Sequence, residues 1–329
     1  MRVLVIGGNG FIGSHVVDAL LENGSEVVVL DRKVERFRSP LPEVKYFRCE
    51  QGNCRELENI ISQGIEFVVH LASSTLPKTS NDHPIFDVQK NLVESLVLFD
   101  LCVKYKVRKV VFFSSGGTVY GVSRSLPIVE EHPTNPICSY GIVKLATEKY
   151  LQLYYHLHGL RYVILRVSNA YGIRQDPVLI QGVISVFMQQ VLCNKPITIW
   201  GDGSIVRDFI NVRDIANLCV RALSSDANGT FNLGSGVGVS VNQLVELISA
   251  ALDRTVCIVR EPSRNFDVPA IVLDCEKVKK VFSWAPRVAL DDGLVDVANW
   301  LKLEYGRLGI DTSNSLDWPT NSERERQTL

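Results

Sequence analysis

Two hydrophobic rhythms alternate over the first half of the chain. Val3 to Ile6, Val27 to Leu30, Phe67 to His70, Lys109 to Ser114 and Tyr162 to Arg166 are short, mostly continuous apolar runs. Runs of this kind are buried on both faces of a parallel sheet. Between them Ile12 to Asn23, Cys54 to Gln63, Asn91 to Lys104 and Ser139 to His158 are amphipathic and predict helices. Repeated β-α-β predicts an α/β fold with a doubly wound parallel sheet. After Arg166 the rhythm loosens, with Gly- and Pro-rich loops at 172–177, 201–204 and 261–269. The expected organisation is a first domain over 1–168 to which 209–235 returns, and a smaller lid from 169–208 and 236–305. The stretch 306–329 is expected to be a polar, mobile tail with no catalytic role.

Composition narrows the partners. The 329 residues are enough for one large or two interleaved domains, since single cores stop growing beyond about 250 to 300 residues. Basic and acidic side chains number 35 and 36, so no global field draws the chain to nucleic acid or anionic lipid. A small-molecule partner is expected. No apolar run reaches 18 residues, and Met1 leads directly into a strand-like run, so a soluble, cytoplasmic protein is expected. The eight cysteines include no CxxC pair and read as reduced, structural thiols, and no metal-ligand set is read from the chain.

Gly7, Gly10 and Gly13, with Phe11 and Ile12 between them, follow the first strand and open the first helix. In that context glycines permit positive φ and let the backbone approach a pyrophosphate at a helix N-terminus, a dinucleotide-binding Rossmann arrangement. Asp31 ends the second strand, where a carboxylate accepts hydrogen bonds from ribose hydroxyls, which favours NAD over NADP. Arg32 and Arg36 stand close enough in sequence to meet a 2′-phosphate instead, and no adenine contact is assigned among Glu50, Gln51 and Asn53.

Tyr140 and Lys144, four apart in a helical segment, project from one face. A lysine charge at that range stabilises a phenolate, and such a pair can take a proton from an alcohol as its carbon gives up hydride. The Ser114-Ser115 pair ends the fourth of the strand-like runs.

With these residues in place, the chain resembles the extended short-chain dehydrogenase/reductases that act on nucleotide sugars, most closely the UDP-galactose 4-epimerase type. The resemblance runs from Met1 to about Lys302. It is carried by GGNGFIG at Gly7 to Gly13, HLAS at His70 to Ser73, SSGGTVYG at Ser114 to Gly121, SYGIVK at Ser139 to Lys144, LRVSNAYG at Leu165 to Gly172 and WGDGSIVRDF at Trp200 to Phe209. It implies that Leu71, Ala72, Ser73 and Thr75 line NAD, that Asn91 lies near it, and that Lys144 also bonds the nicotinamide ribose. Ser114 joins the same cofactor set. It further implies a UDP-sugar or related sugar diphosphate as substrate, with Asn169, Arg207 and Arg264 at the diphosphate, Asp267 at the uridine ribose and Trp200 beside the base. Guanidinium forks suit a diphosphate and a carboxylate suits a ribose diol. A homodimer through Asn91 to Lys104 and Ser139 to His158 is implied as well.

The residues before Tyr120 report the reaction. Gly117 and Thr118 stand where the related dehydratases carry Asp-Glu and decarboxylases carry Glu, so the acid and base for elimination are missing and epimerisation at carbon 4 through a transient ketone is expected. A net 4-ketoreductase, and a non-catalytic dinucleotide sensor on the same fold, are the alternatives. One departure stands out: Gly116 occupies the place of a Ser or Thr that bonds the sugar 4-hydroxyl in the typical epimerase. If the chain stays extended past Ser114, period-two alternation puts Thr118 on that face, so Thr118 is expected to substitute ahead of Ser115. Ile271 lies where glucose-restricted relatives carry a Tyr, and its smaller side chain suggests room for an N-acetyl group.

Overall fold

The strand-like runs form the middle of one sheet in the computed structural model, which describes residues 1–36, 38–77, 79–175, 182–264 and 268–307. In chain order the strands are β1 (Arg2–Ile6), β2 (Glu26–Asp31), β3 (Lys45–Arg48), β4 (Phe67–His70), β5 (Lys109–Ser115) and β6 (Arg161–Val167). Then come β7 (Asn169–Tyr171), β8 (Ile197–Trp200), β9 (Val206–Asn211), β10 (Gly229–Leu233), β11 (Gly238–Ser240), β12 (Ile258–Glu261) and β13 (Ala270–Ile271). The seven-stranded sheet runs β10-β6-β5-β4-β1-β2-β3, every pair parallel. Strand order reverses at β1 and β4, and a crevice opens at their carboxyl ends, where such sheets bind ligands.

Helices α1 (Phe11–Glu22), α2 (Cys54–Ile61), α3 (Pro84–Asp87), α4 (Glu94–Lys104) and α5 (Ser139–His158) provide the crossovers. Two apolar clusters fill the sheet's faces, one around Val5, Val29, Val111 and Leu165, the other around Leu4, Leu30, Val68 and Ile164. Alternate residues of one strand go to opposite clusters, which explains why these strands are apolar without a break.

After α6 (Val183–Leu192), the chain returns to the first unit through α7 (Val212–Ser224), which packs on α1, and through β10. The crossover starts at Val212: residues 209–211 lie in β9, which pairs with β7, β11 and β13 in a second sheet. Helices α8 (Val241–Leu252), α9 (Glu276–Phe282) and α10 (Leu290–Arg307) complete the chain, and a third cluster around Met188, Leu244 and Leu301 forms the core of the second unit. Nearly all of the tail expected at 306–329, from residue 308 onward, falls outside the described residues. Between α3 and α4 lies a π-helical stretch, Val88–Val93, that carries Asn91. Such stretches are frequent at functional sites. Among the described residues no helix is long and apolar enough to cross a membrane.

Candidate active site

A cleft of about 740 Å³ opens along the carboxyl ends of β1, β2, β4 and β5. Its floor is the turn from β1 into α1. Gly7 has φ of 87°, and a Cβ there would sit 2.9 Å from the Ala72 amide nitrogen. A Cβ on Gly13 would sit 2.1 Å from the Gly7 carbonyl oxygen, so only glycine lets the helix start this close to the strand. Gly10, Phe11 and Ile12 line the same cleft. At its far end the Asp31 carboxylate accepts from the backbone N–H of Asn9 at 3.0 Å and of Lys33 at 2.9 Å. Burial pushes this carboxyl above its ordinary value, while those two hydrogen bonds oppose the shift.

Leu71, Ala72, Ser73 and Thr75 also line the cleft. This loop is tied down by Asn91, whose Oδ1 accepts from the Ser74 N–H at 2.8 Å and whose amide donates to Thr75 Oγ1 at 3.0 Å. Glu50 and Gln51, which the sequence left unassigned, line the cleft near Asp31, and the buried Gln51 Nε2 has no hydrogen-bond partner among the described residues. A glycine cradle without room for a side chain, a ribose-suited carboxylate and this unpaired donor in one cleft fit NAD.

Tyr140 and Lys144 stand in the first two turns of α5 and line the cleft, as does Ser115. The helix has no side-chain cap of its own at Cys138. Its first N–H groups are satisfied from another loop instead, Ser139 donating to Asn81 Oδ1 at 2.9 Å and Tyr140 to Ser80 Oγ at 3.0 Å. Lys144 is buried, its Nζ donating to the Phe113 carbonyl at 2.9 Å and lying 5.5 Å from the Tyr140 ring centroid. Burial pulls its ammonium down to about 8, against the Asp87 and Glu148 carboxylates. Tyr140 faces the cleft in part, yet loss of solvent pushes its phenol well above the ordinary range, with Cys138 and Asp87 adding to the shift.

Beneath the pair, Ser114 donates to Glu148, which accepts from Arg166 Nη2 at 2.7 Å. Arg166 in turn donates to the Tyr120 hydroxyl at 2.9 Å, and Tyr120 to Asn232 Oδ1 at 2.6 Å. This buried chain links β5, α5, β6 and β10 and holds the base of the site rigid.

The structure corrects the expectation at Thr118. The chain does not remain extended: the N–H groups of Thr118 and Val119 both bond the Ser115 carbonyl, at 3.3 and 3.1 Å, closing a turn. Alternation therefore stops at Ser115, which lines the cleft, whereas Thr118 does not. Thr118 packs against Gly141, and its buried hydroxyl has no partner among the described residues. Gly116 has no room for a side chain, since a Cβ would lie 2.6 Å from Leu273 Cδ1 and 3.0 Å from the Arg166 carbonyl oxygen.

The substrate residues are divided. Asn169 lines the cleft and donates to the Asp208 carbonyl at 3.0 Å. Trp200, Arg207 and Arg264 are not on the lining; Arg264 instead stacks over Trp200, its guanidinium 5.2 Å from the ring. Asp267 lies outside the described residues. Ile271 is corrected in placement: it pairs beside Arg207 in the second sheet and is buried in the apolar cluster with Leu273, so it does not border the cleft. The sequence reading missed Asp87, a fully buried carboxylate among Thr75, Asn91 and Ser139. Its position one helical turn before Asn91 was the available signal.

A glycine cradle, a ribose carboxylate and a Tyr-Lys pair on one cleft define a dinucleotide-dependent enzyme that acts on an alcohol carbon. Residues 3–234 match the NAD dependent epimerase/dehydratase family, and the chain belongs to it. It is 35% identical over 309 residues to a UDP-glucose 4-epimerase of Mycolicibacterium smegmatis, covering 92% of this chain and 99% of that protein. Among solved structures it is similar to the Thermotoga maritima UDP-glucose 4-epimerase with UDP-glucose, at TM-score 0.89 and 36% identity, covering 92% and 99% of the two chains. A UDP-N-acetylglucosamine 4-epimerase from Methanobrevibacter ruminantium, in complex with UDP-N-acetylmuramic acid, aligns at TM-score 0.87 and 30% identity, covering 92% and 98%.

Proposed function

We propose that this chain inverts carbon 4 of a UDP-hexose or UDP-N-acetylhexosamine, using NAD held on the Gly7–Gly13 turn. The observation that carries the reading is that the Tyr140–Lys144 pair and Ser115 line the same cleft as the glycine cradle and Asp31. Bound there, NAD supplies a hydride acceptor and donor, which is what inversion through a ketone requires. Tyr140 takes the proton of the 4-hydroxyl and returns it after the sugar has turned its other face. The Lys144 ammonium lowers the cost of the phenolate, and Ser115 offers the hydroxyl that Gly116 lacks. Because Gly117 and Thr118 carry no titratable group, the ketone has no catalyst for elimination, and reversal of the first step is the route left.

Arg207 and Arg264 are assigned to the diphosphate, and Asp267 to the uridine ribose, on the strength of the family resemblance. A second copy of the chain is expected on the exposed apolar stripe of α5, where Ile142, Leu153 and Leu157 are 55%, 43% and 60% exposed, beside Ile85 and Phe86 of α3. All eight cysteines are free, which suits a reducing, cytoplasmic compartment. The test is incubation of the purified chain with a panel of UDP-sugars and NMR of carbon 4. Inversion without net change in NAD supports the reading; a stoichiometric demand for reduced cofactor would replace it with a ketoreductase.

A further inference from the structure

We infer that Asp87 is a positioning residue for the Tyr140–Lys144 pair, a buried carboxylate that ties the cofactor loop to the start of α5 and supplies the counter-charge to the Lys144 ammonium. The inference rests on the reading of Tyr140 as the base.

Asp87 closes α3 and is 0% exposed. Its Oδ1 accepts from Thr75 Oγ1 and from Asn91 Nδ2, each at 2.7 Å, and its Oδ2 accepts from Ser139 Oγ at 2.7 Å. Three donors thus arrive from three segments: the cofactor loop, the π-helical stretch and the first residue of α5. Ser139 adjoins Tyr140, so the carboxylate connects the residues that cradle NAD to the residue that moves the proton.

All three donors are neutral, and a carboxylate removed from water needs a cation nearby as well as hydrogen bonds. Among the described residues none lies within ion-pair distance of Asp87. Tyr140 on α5 lies against Lys144, and the other titratable groups whose charge couples to it are His70 on β4, Asp87 on α3 and Glu148 on α5. Glu148 is engaged by Arg166 at 2.7 Å, and His70 is held neutral by burial, which drops it to about 3. Asp87 and Glu148 both act on Lys144, Asp87 the more strongly, and of the two only Asp87 is not already paired with an arginine. Its charge favours the protonated forms of both Lys144 and Tyr140.

The sign of the effect follows. Without the carboxylate Lys144 loses its proton at lower pH, and Tyr140 releases its own at lower pH too. Both limbs of the rate profile then move towards acid. A carboxylate that merely braced the loop would lower the profile without moving it.

The experiment uses two uncharged replacements of different shape. Asp87→Asn keeps the size, and the Ser139 hydroxyl can rotate to accept from its amide; Asp87→Ser is smaller. The first readout is direct titration of Lys144 in cofactor-free protein by NMR of ¹³C-labelled lysine, the signal being identified by its loss in Lys144→Arg. The wild-type midpoint should fall near 8. Both variants should titrate lower by about half a unit or more. The second readout is the pH dependence of kcat, where both limbs should move in the same direction. An unmoved Lys144 midpoint with a uniformly reduced rate would overturn the inference, as would failure of both variants to fold, which would make Asp87 a fold element. Wild-type protein that never epimerises, with Lys144 still displaced in the variants, would count against the proposed function and leave the Asp87 assignment standing.

Discussion

Thr118→Val and Ser115→Ala separate the two hydroxyls that the missing side chain at Gly116 brings into play. Thr118 Oγ1 is buried without a partner among the described residues, in a turn packed on Gly141. A buried hydroxyl left unsatisfied costs about 1 to 3 kcal/mol, and valine has the same shape with a methyl in its place. Thr118→Val should therefore stabilise the protein by about 1 to 2 kcal/mol, which in a large domain is about 2 to 4 °C in Tm per kcal/mol. Its turnover and NAD content should equal those of the wild type. Ser115 lines the same cleft as Tyr140, so under the proposed mechanism Ser115→Ala removes the donor to the 4-hydroxyl and should lower kcat by about ten- to a thousandfold with little effect on Tm. The assays are thermal unfolding at fixed scan rate, NAD content by absorbance and carbon-4 inversion by NMR. If Thr118→Val lost both stability and turnover while Ser115→Ala kept both, the turn would be delivering the threonine to the substrate and the reasoning would fail.

Tyr140→Phe should lower kcat by about two to four orders of magnitude while leaving NAD and UDP-sugar binding in calorimetry unchanged, since only the transferable proton is removed; a rate within tenfold of wild type refutes it. Gly116→Ser should destabilise by about 1 to 3 kcal/mol, because its Cβ would meet Leu273 Cδ1 at 2.6 Å. Pairing it with Leu273→Ala should recover part of the loss, and strict additivity in urea unfolding would argue against the contact. Burial depresses His15 to about 4 from an ordinary 6.5, so the unfolded chain binds its proton first. Stability should then decline as pH falls from 6.5 towards 4, and His15→Gln should flatten that decline in urea titrations.

Much of the first unit was legible because each of its signals is local. Val3 to Ile6 and Val27 to Leu30 read as two-sided strands from their own side chains, and Ser139 to His158 emerges with the bounds its pattern predicted. The glycine turn and the i, i+4 spacing of Tyr140 and Lys144 are likewise written in neighbouring residues, and a helix of fixed pitch turns that spacing into a shared face. β3 was missed because Lys45–Arg48 is short and polar at both ends.

What only the tertiary structure decided depends on chain segments far apart in sequence. The turn after Ser115 cannot be inferred from two glycines, which permit either course, and it alone determines which hydroxyl reaches the cleft. Gly116 is filled by Leu273, and Ile271 is covered by its own cluster, through contacts spanning more than a hundred residues. Asp87 becomes part of the site only when the loop at Thr75, the turn of Asn91 and the start of α5 converge on it. A carboxylate in a sequence reads as solvated by default; burial among neutral donors is a property of the assembled fold, and that burial is what makes its charge count.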